Sequence, residues 1–144
     1  MRPCGANCPT CMPLANLTLE EAVARAERTF SHAWMVRTFV KHSPEAEDFP
    51  ELMSIVRTVF DSARALETRR GDPVAYLHML RKKIGKLRAA TDRFRRDAEA
   101  ASAHTNFKEA VASMEACIAE WNEILQSVPA QSLPGSAADD DDPE

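Results

Sequence analysis

Mostly apolar residues recur at alternating steps of three and four between positions 77 and 125. The first series is Leu77, Leu80, Ile84, Leu87, Thr91, Phe94, Ala98 and Ala101, and the second is Phe107, Val111, Met114, Ile118, Trp121 and Leu125. A helix of 3.6 residues per turn places such positions on one face, whereas a strand would divide them between two faces. The rhythm therefore predicts two long helices, each with an apolar stripe that other helices must cover.

Helix-start signals predict two more helices earlier in the chain. Side chains at such signals satisfy the backbone N–H groups that a helix leaves unpaired at its start. The first helix is expected to run to about His42, and the second to end near Gly71. The four start signals are Thr18 with Glu21, Asp48 with Glu51, Asp72 with Pro73, and Asn106 with Glu109.

The end of the first predicted helix is unusually rich in apolar side chains. Trp34, Met35, Val36 and Phe39 widen the apolar stripe there. A wider stripe can be covered by more neighbours, so we expect this end of the helix to be the most deeply packed.

Four amphipathic helices joined by short connections predict an all-α fold, because none of them can bury its stripe alone. The simplest arrangement is an antiparallel up-down-up-down four-helix bundle over residues 17–126. A composition of 44 % hydrophobic and 28 % charged residues is sufficient for such a core. Residues 1–16 are expected to form a flexible leader that contains cysteines. Residues 127–144 combine Pro, Gly, Ser and a run of Asp, which predicts a disordered acidic tail.

Charge and hydropathy narrow the class of protein. Five of the 22 acidic residues lie at positions 139–144, which leaves 17 acidic against 18 basic residues in the rest of the chain. The sequence has neither an apolar run long enough to cross a bilayer nor the apolar part of a secretory signal. We therefore expect a cytoplasmic protein without a membrane partner, in which cysteines are thiols or metal ligands rather than disulfides.

Cys4, Cys8 and Cys11 have the spacing CxxxCxxC, by which radical-SAM enzymes hold an iron–sulfur cluster. Those enzymes need a large α/β barrel, and no strand pattern is present to build one. Zinc would require a fourth ligand in a closed structural site. The leader is thus expected to be incidental or redox-reactive and the chain to lack a cofactor, with zinc or an iron–sulfur cluster as the alternative.

The sequence shows no catalytic constellation. Nucleophile elbows, phosphate loops and HExxH are absent, and the four histidines form no i, i+3 or i, i+4 ligand pair. His32 and His78 could still approach one another across the bundle. Carboxylates at helix starts are better explained by the helix dipole than by catalysis.

The third helix carries a basic stretch that could bind an acidic partner. Eight cations stand against Asp92 alone between positions 81 and 96. Intramolecular pairing with the glutamates of the fourth helix is one explanation, and binding of nucleic acid, of protein or of an anionic ligand are the others. The residues proposed for binding are His78, Arg81, Lys82, Gly85, Lys86, Arg88 and Arg93.

Gly85 lies inside this basic stretch and lowers helix stability there by about 1 kcal/mol relative to Ala. Its presence suggests a close backbone approach or a bend. On a helical wheel Gly85 lines up with His78, Arg81 and Arg88, and this line is where a small anion would bind.

Two segments, SHAWMVRTFVKHSPEAED at 31–48 and LRKKIGKLRAA at 80–90, resemble a group of short all-helical bacterial proteins. Members of that group are uncharacterised or carry an automatically assigned amidohydrolase label, and the resemblance covers residues 18–126. Amidohydrolases resemble one another in a metal-binding barrel with an HxH motif. This chain has neither, so the resemblance assigns it no catalytic residue.

These observations favour a small helical-bundle binding or accessory protein that associates with itself or with another protein. A nucleic-acid-associated protein that uses the third helix is the first alternative, and a metal or redox protein that uses the leader is the second. A hydrolase is the reading that the sequence supports least.

Overall fold

The computed structural model describes residues 17–128, and all regular structure in that range is helical. The prediction of an all-α chain is therefore confirmed for this part. None of its helices combines the length and apolarity that crossing a membrane requires. Its elements are α1 (Leu19–Lys41), α2 (Glu45–Asp48), a 3-10 turn (Pro50–Leu52), α3 (Met53–Glu67), α4 (Pro73–Ala101) and α5 (Thr105–Ser127).

α1 begins and ends where the sequence predicts. The Thr18 hydroxyl accepts a hydrogen bond from the Glu21 N–H at 3.1 Å, and the Glu21 carboxylate accepts one from the Thr18 N–H at 2.9 Å. This reciprocal pair is the predicted capping box. His42 is the C-cap residue, as expected.

The segment between α1 and α3 differs from the prediction. Asp48 does not cap a long helix; it is the last residue of the single-turn α2. Phe49 then leaves the helical region, with φ −128° and ψ 79°, and α3 begins only at Met53. Pro50 explains the interruption, because the ring of a proline disfavours the α conformation of the residue before it.

One of the two later start signals is confirmed and one is wrong. The Asp72 carboxylate accepts a hydrogen bond from the Ala75 N–H at 3.2 Å, with Pro73 at the first position of α4. At α5 the N-cap is His104 rather than Asn106, since His104 Nδ1 accepts a hydrogen bond from the Asn106 N–H at 3.1 Å. An imidazole nitrogen thus takes the place of the usual side-chain oxygen.

Each of the four long helices buries its stripe mainly against two neighbours, and α1 and α4 also contact each other directly. α1 packs against α5 and α3, and α4 packs against α3 and α5. The predicted stripe of α5 is buried along its whole length, and that of α4 is buried except at Ile84 and Ala101, which are half-buried. Ser127 still belongs to α5 and Val128 is buried, so the helical part extends slightly beyond the predicted limit at residue 126.

In two pairs of neighbouring helices, the contacts join early residues of one helix to late residues of the other. Arg25 and Phe39 of α1 contact Glu120 and Phe107 of α5, so early residues of one helix lie beside late residues of the other. On α4 and α5 the same holds for Arg95 with Glu115 and for Arg88 with Asn122.

The C-terminal half of α1 is less buried than predicted. Trp34 is 37 % exposed and Met35 is 65 % exposed, whereas Val36 is buried and Phe39 is half-buried. The prediction of deepest packing is therefore wrong for Trp34 and Met35. The buried positions Phe30, Ala33, Val36 and Val40 keep the helical period, and the two exposed residues fall outside it.

Candidate functional site

The outer side of α1 carries the exposed large apolar side chains of residues 17–128, which are Trp34 and Met35. The half-buried Phe60 of α3 lies beside them, with 6.1 Å between its ring centroid and that of Trp34. We call this region, with Arg37 of α1 and Arg64 of α3, the Trp34 surface. Aromatic and arginine side chains are enriched at protein interfaces.

Arg37 lies against both aromatic rings of the Trp34 surface. Its guanidinium carbon is 4.3 Å from the Trp34 ring centroid and 5.2 Å from the Phe60 centroid. Arg37 Nε is buried, and no hydrogen-bond acceptor within residues 17–128 reaches it. Attraction to the ring faces stabilises the cation but does not supply an acceptor for that N–H.

Arg64 completes the cationic part of the surface from α3. Its guanidinium carbon is 5.6 Å from the Phe60 centroid. It also forms an ion pair of 3.5 Å with Glu67, in which both side chains are well exposed. Such a pair contributes little stability, so Arg64 can exchange Glu67 for another carboxylate at small cost.

A groove of about 460 Å³ runs between α1 and α3 next to Trp34 and Met35. Its lining includes Arg70 and Glu27, which form an ion pair of 2.8 Å. The Tyr76 hydroxyl donates a hydrogen bond of 2.5 Å to the same Glu27 carboxylate. Burial and this hydrogen bond raise the pKa of the Tyr76 phenol far above its ordinary value, so Tyr76 remains a donor at neutral pH.

The basic residues of α4 lie on two sides of the helix. Arg88 and Arg95 face α5, where Arg88 donates to Asn122 and Arg95 pairs with Glu115, both at 3.1 Å. The predicted pairing between the flanks of the two helices is thus confirmed for Arg95. It is wrong for Glu120, which pairs with Arg25 of α1 at 3.0 Å.

The other predicted binding residues of α4 lie farther from α5. Lys86 and Arg93 are exposed and Lys82 is half-buried, and Arg93 also pairs with Asp97 at 3.5 Å. His78 and Arg81 are half-buried near the start of the helix. Whether these residues bind nucleic acid stays a prediction.

Gly85 does not mark a close backbone approach. It is exposed, α4 continues through it, and a Cβ added there would meet no atom within 4 Å. That part of the prediction is wrong because the glycine faces open space. Binding of a small anion along the line of Gly85 stays a prediction.

The two grooves that His32 lines do not include the other histidine of the predicted pair, His78. His32 is exposed in two grooves that are both lined by α1 and α5, and His78 belongs to α4. Within the part of the chain that the structure describes, no group of three or more His, Cys, Asp or Glu could hold a metal ion. Cys4, Cys8 and Cys11 lie outside that part, and the hypothesis of zinc or an iron–sulfur cluster there stays untested.

Cys117 is a buried thiol between α1 and α5. Its Sγ donates a hydrogen bond to the Thr29 carbonyl at 3.6 Å. Burial, with a smaller contribution from the nearby Glu120 carboxylate, raises the pKa of the Cys117 thiol to about 11. The thiol is therefore protonated at neutral pH and is a poor nucleophile.

The sequence contained a signal for the Trp34 surface. Trp34 and Met35 directly follow Ala33, which belongs to the buried series, and a helix places the next two positions away from that series. Comparison with protein-family models, with curated proteins and with solved structures finds no match for this chain. The geometry of the described residues is thus the basis for a proposed function.

Proposed function

We propose that this chain is a small helical-bundle protein that acts by binding another protein through the Trp34 surface. The observation that carries the proposal is the exposure of two adjacent large apolar side chains, Trp34 and Met35, beside a stacked arginine. Trp and Arg are enriched among the residues that contribute most to protein interfaces. Water contact with these apolar groups is unfavourable, and a partner that covers them would gain free energy.

The proposed scaffold is an antiparallel up-down-up-down bundle of α1, α3, α4 and α5. The directions of the α1–α5 and α4–α5 contacts support it, as do the short connections between α3 and α4 and between α4 and α5. A bundle of this kind holds α1 and α3 side by side, so Trp34 and Phe60 keep a fixed spacing. A rigid surface loses less entropy on binding than a loop does.

The chemistry of the Trp34 surface points to one kind of partner. The groove beside Trp34 and Met35 has room for a side chain, and the Arg37 guanidinium, stacked on the Trp34 ring, provides a positive charge at its edge. A carboxylate suits a guanidinium best, because the two can form parallel charge-assisted hydrogen bonds. We therefore expect a protein segment in which an apolar residue lies next to an Asp or Glu.

The proposal includes a cytoplasmic location. Cys117 is a free thiol in the structure, and free thiols are typical of proteins in reducing compartments.

The experiment compares copurifying proteins for three forms of the tagged full-length chain in its native cell. They are the unmodified chain, the double variant Trp34→Ala with Met35→Ala, and a control in which the exposed Lys108 and Glu109 of α5 are replaced by Gln. A protein lost only with the double variant is then purified, and its dissociation constant is measured against all three forms. We expect binding at least about thirtyfold weaker for the double variant, since hot-spot residues contribute about 2 kcal/mol or more.

Arg37→Lys is the sharper test of the partner's chemistry. Lysine keeps the charge but loses the planar stacking and the paired donors, so the same partner should bind more weakly. Equal affinity for all forms would refute the proposal. If the partner is a second copy of this chain, the Trp34 surface is still the binding site but the expected partner is wrong. Sedimentation of the purified chain would detect that self-association.

A further inference from the structure

The outward side of α4 is a row of cations. Lys82, Lys86, Arg93 and Arg96 follow one another at steps of four, seven and three, which places them on one side of the helix. We call these four residues the α4 basic face. At about 1.5 Å per residue, the row is about 21 Å long.

The described part of the chain neutralises the α4 basic face only partly. Arg93 pairs with Asp97 and Lys86 also has an interaction partner, but no carboxylate within residues 17–128 bonds to Lys82 or Arg96. The glutamates of α5 that form ion pairs reach Arg95 and Arg25, which lie outside the row. A surplus of positive charge therefore remains on this side of α4.

Val128, the last residue that the structure describes, lies at the Lys82 end of this row. Arg88 contacts Asn122 across the α4–α5 interface. Val128 follows Asn122 by six residues, and Lys82 precedes Arg88 by six. Since the contacts place late residues of α5 beside early residues of α4, the buried Val128 lies level with Lys82.

The following sequence is both acidic and long enough to reach the whole row. Asp139 to Asp142 and Glu144 supply five carboxylates. Eleven residues lead from Val128 to Asp139, and an extended chain of that length reaches about 36 to 40 Å, more than the length of the row.

We propose that the acidic segment 139–144 binds the α4 basic face of the same molecule. Two observations favour this occupant: the opposite charge of the segment, and the position of Val128, from which the chain leads to it, level with Lys82. Covalent connection gives the segment an effective concentration that a separate acidic molecule must exceed in order to compete. The inference does not depend on the Trp34 surface, and it implies that the tail shields the basic helix from polyanions.

A zero-length carbodiimide cross-link tests the contact on the full-length chain, because it joins a carboxylate only to an amine in direct contact. Mass spectrometry should find links from residues 139–144 to Lys82 or Lys86, and these should weaken strongly between about 0.05 M and about 1 M salt. Exposed lysines elsewhere, Lys41 of α1 and Lys108 of α5, serve as internal controls. An equal mixture of ¹⁵N-labelled and unlabelled protein separates links within one molecule from links between two.

A second measurement uses heparin as a polyanion probe. Replacing Asp139 to Asp142 by Asn should strengthen heparin binding by about tenfold or more, because a tethered competitor for the same cations is lost. The uncharged control Gln131→Asn should leave heparin binding unchanged. Adding Lys82→Gln and Arg96→Gln to the Asn variant should remove most of that gain. Three results would each overturn the proposal. The first is cross-linking to Lys41 and Lys108 as frequent as to the lysines of α4, and the second is cross-linking only between molecules. The third is a heparin affinity that the Asn substitutions do not change.

Discussion

Truncation of Trp121 should reduce the stability of the fold more than any surface change. The side chain is fully buried and its ring centroid lies 4.4 Å from that of Phe30. Its indole N–H donates to the Ala26 carbonyl on α1 at 3.3 Å. Trp121→Ala removes these contacts from the interface of α1 and α5 at once, and such truncations cost about 3 to 5 kcal/mol.

Trp121→Phe separates the contribution of aromatic packing to that loss from the contribution of the indole hydrogen bond. Phenylalanine keeps an aromatic ring in the core but has no N–H, so the Ala26 hydrogen bond and some volume are lost. A hydrogen bond contributes about 1 kcal/mol net, and the smaller ring adds a modest packing loss. We expect a decrease of about 1 to 2 kcal/mol in the free energy of unfolding, well below that of the alanine variant.

Urea unfolding followed by far-UV circular dichroism measures both losses, and Trp34→Ala is the matched control. The same substitution at this 37 % exposed position should cost clearly less, about 1 kcal/mol, because the contacts described for Trp34 are those with Arg37 and Phe60. A loss below about 1 kcal/mol for Trp121→Ala, or equal losses at the two tryptophans, would refute the assignment of the buried face of α5.

Four further predictions concern local features. Gly85→Ala should stabilise the fold by about 0.5 to 1 kcal/mol in the same assay, since the added methyl meets open space; a loss would indicate a hidden strain in α4. Asp72→Ala should cost about 1 kcal/mol and Asp48→Ala almost nothing, because only the Asp72 side chain caps a helix; equal costs would contradict the caps described. Tyr76→Phe should cost about 1.5 to 3 kcal/mol at neutral pH through the lost hydrogen bond to Glu27. The unfolded Tyr76 phenol loses its proton near pH 10 and the folded phenol does not, so the free energy of unfolding should fall above about pH 10, less steeply in the Phe variant. A chain that starts at Met12 should match the full-length protein in unfolding midpoint with or without zinc, and an easier unfolding together with bound metal would instead make the cysteine leader a true site.

The sequence predicted the buried faces of the long helices well, because the spacing of residues on one face of a helix depends only on the geometry of the helical backbone. Every predicted stripe position of α5 is buried, and so are most of those of α4. The capping box at Thr18 and the cap at Asp72 were predictable for the same reason, since each involves residues only three positions apart.

The errors come from competition between local signals and from the neighbours that a helix acquires. Asp48 and Glu51 resemble a capping box, but Pro50 acts on Phe49 and interrupts the helix between them. Trp34 has the hydrophobicity of a core residue. Its position outside the buried series of α1 favoured exposure, but how far α3 covers it depends on the packing of α3 against α1, which the periodicity of one helix does not specify.

The candidate site was harder to predict than the fold. Arg37 acquires its role from Phe60, a residue of another helix, and no spacing along the chain relates the two. The basic stretch of α4 was visible in the sequence, but its division into a side that pairs with α5 and a side that faces away required the structure.

The Cys117 thiol can be used to measure local opening of the fold. The thiol is 4 % exposed at the base of a groove between α1 and α5 and lies against the Thr29 carbonyl, so an alkylating reagent should react with it far faster when the two helices separate locally. If reclosing is fast compared with alkylation, the labelling rate relative to an unfolded peptide gives the free energy of that opening under native conditions. Mass spectrometry of the peptide that contains Cys117 distinguishes it from the three leader thiols. The same thiol would thus report whether a partner that covers Trp34 also holds the two helices together.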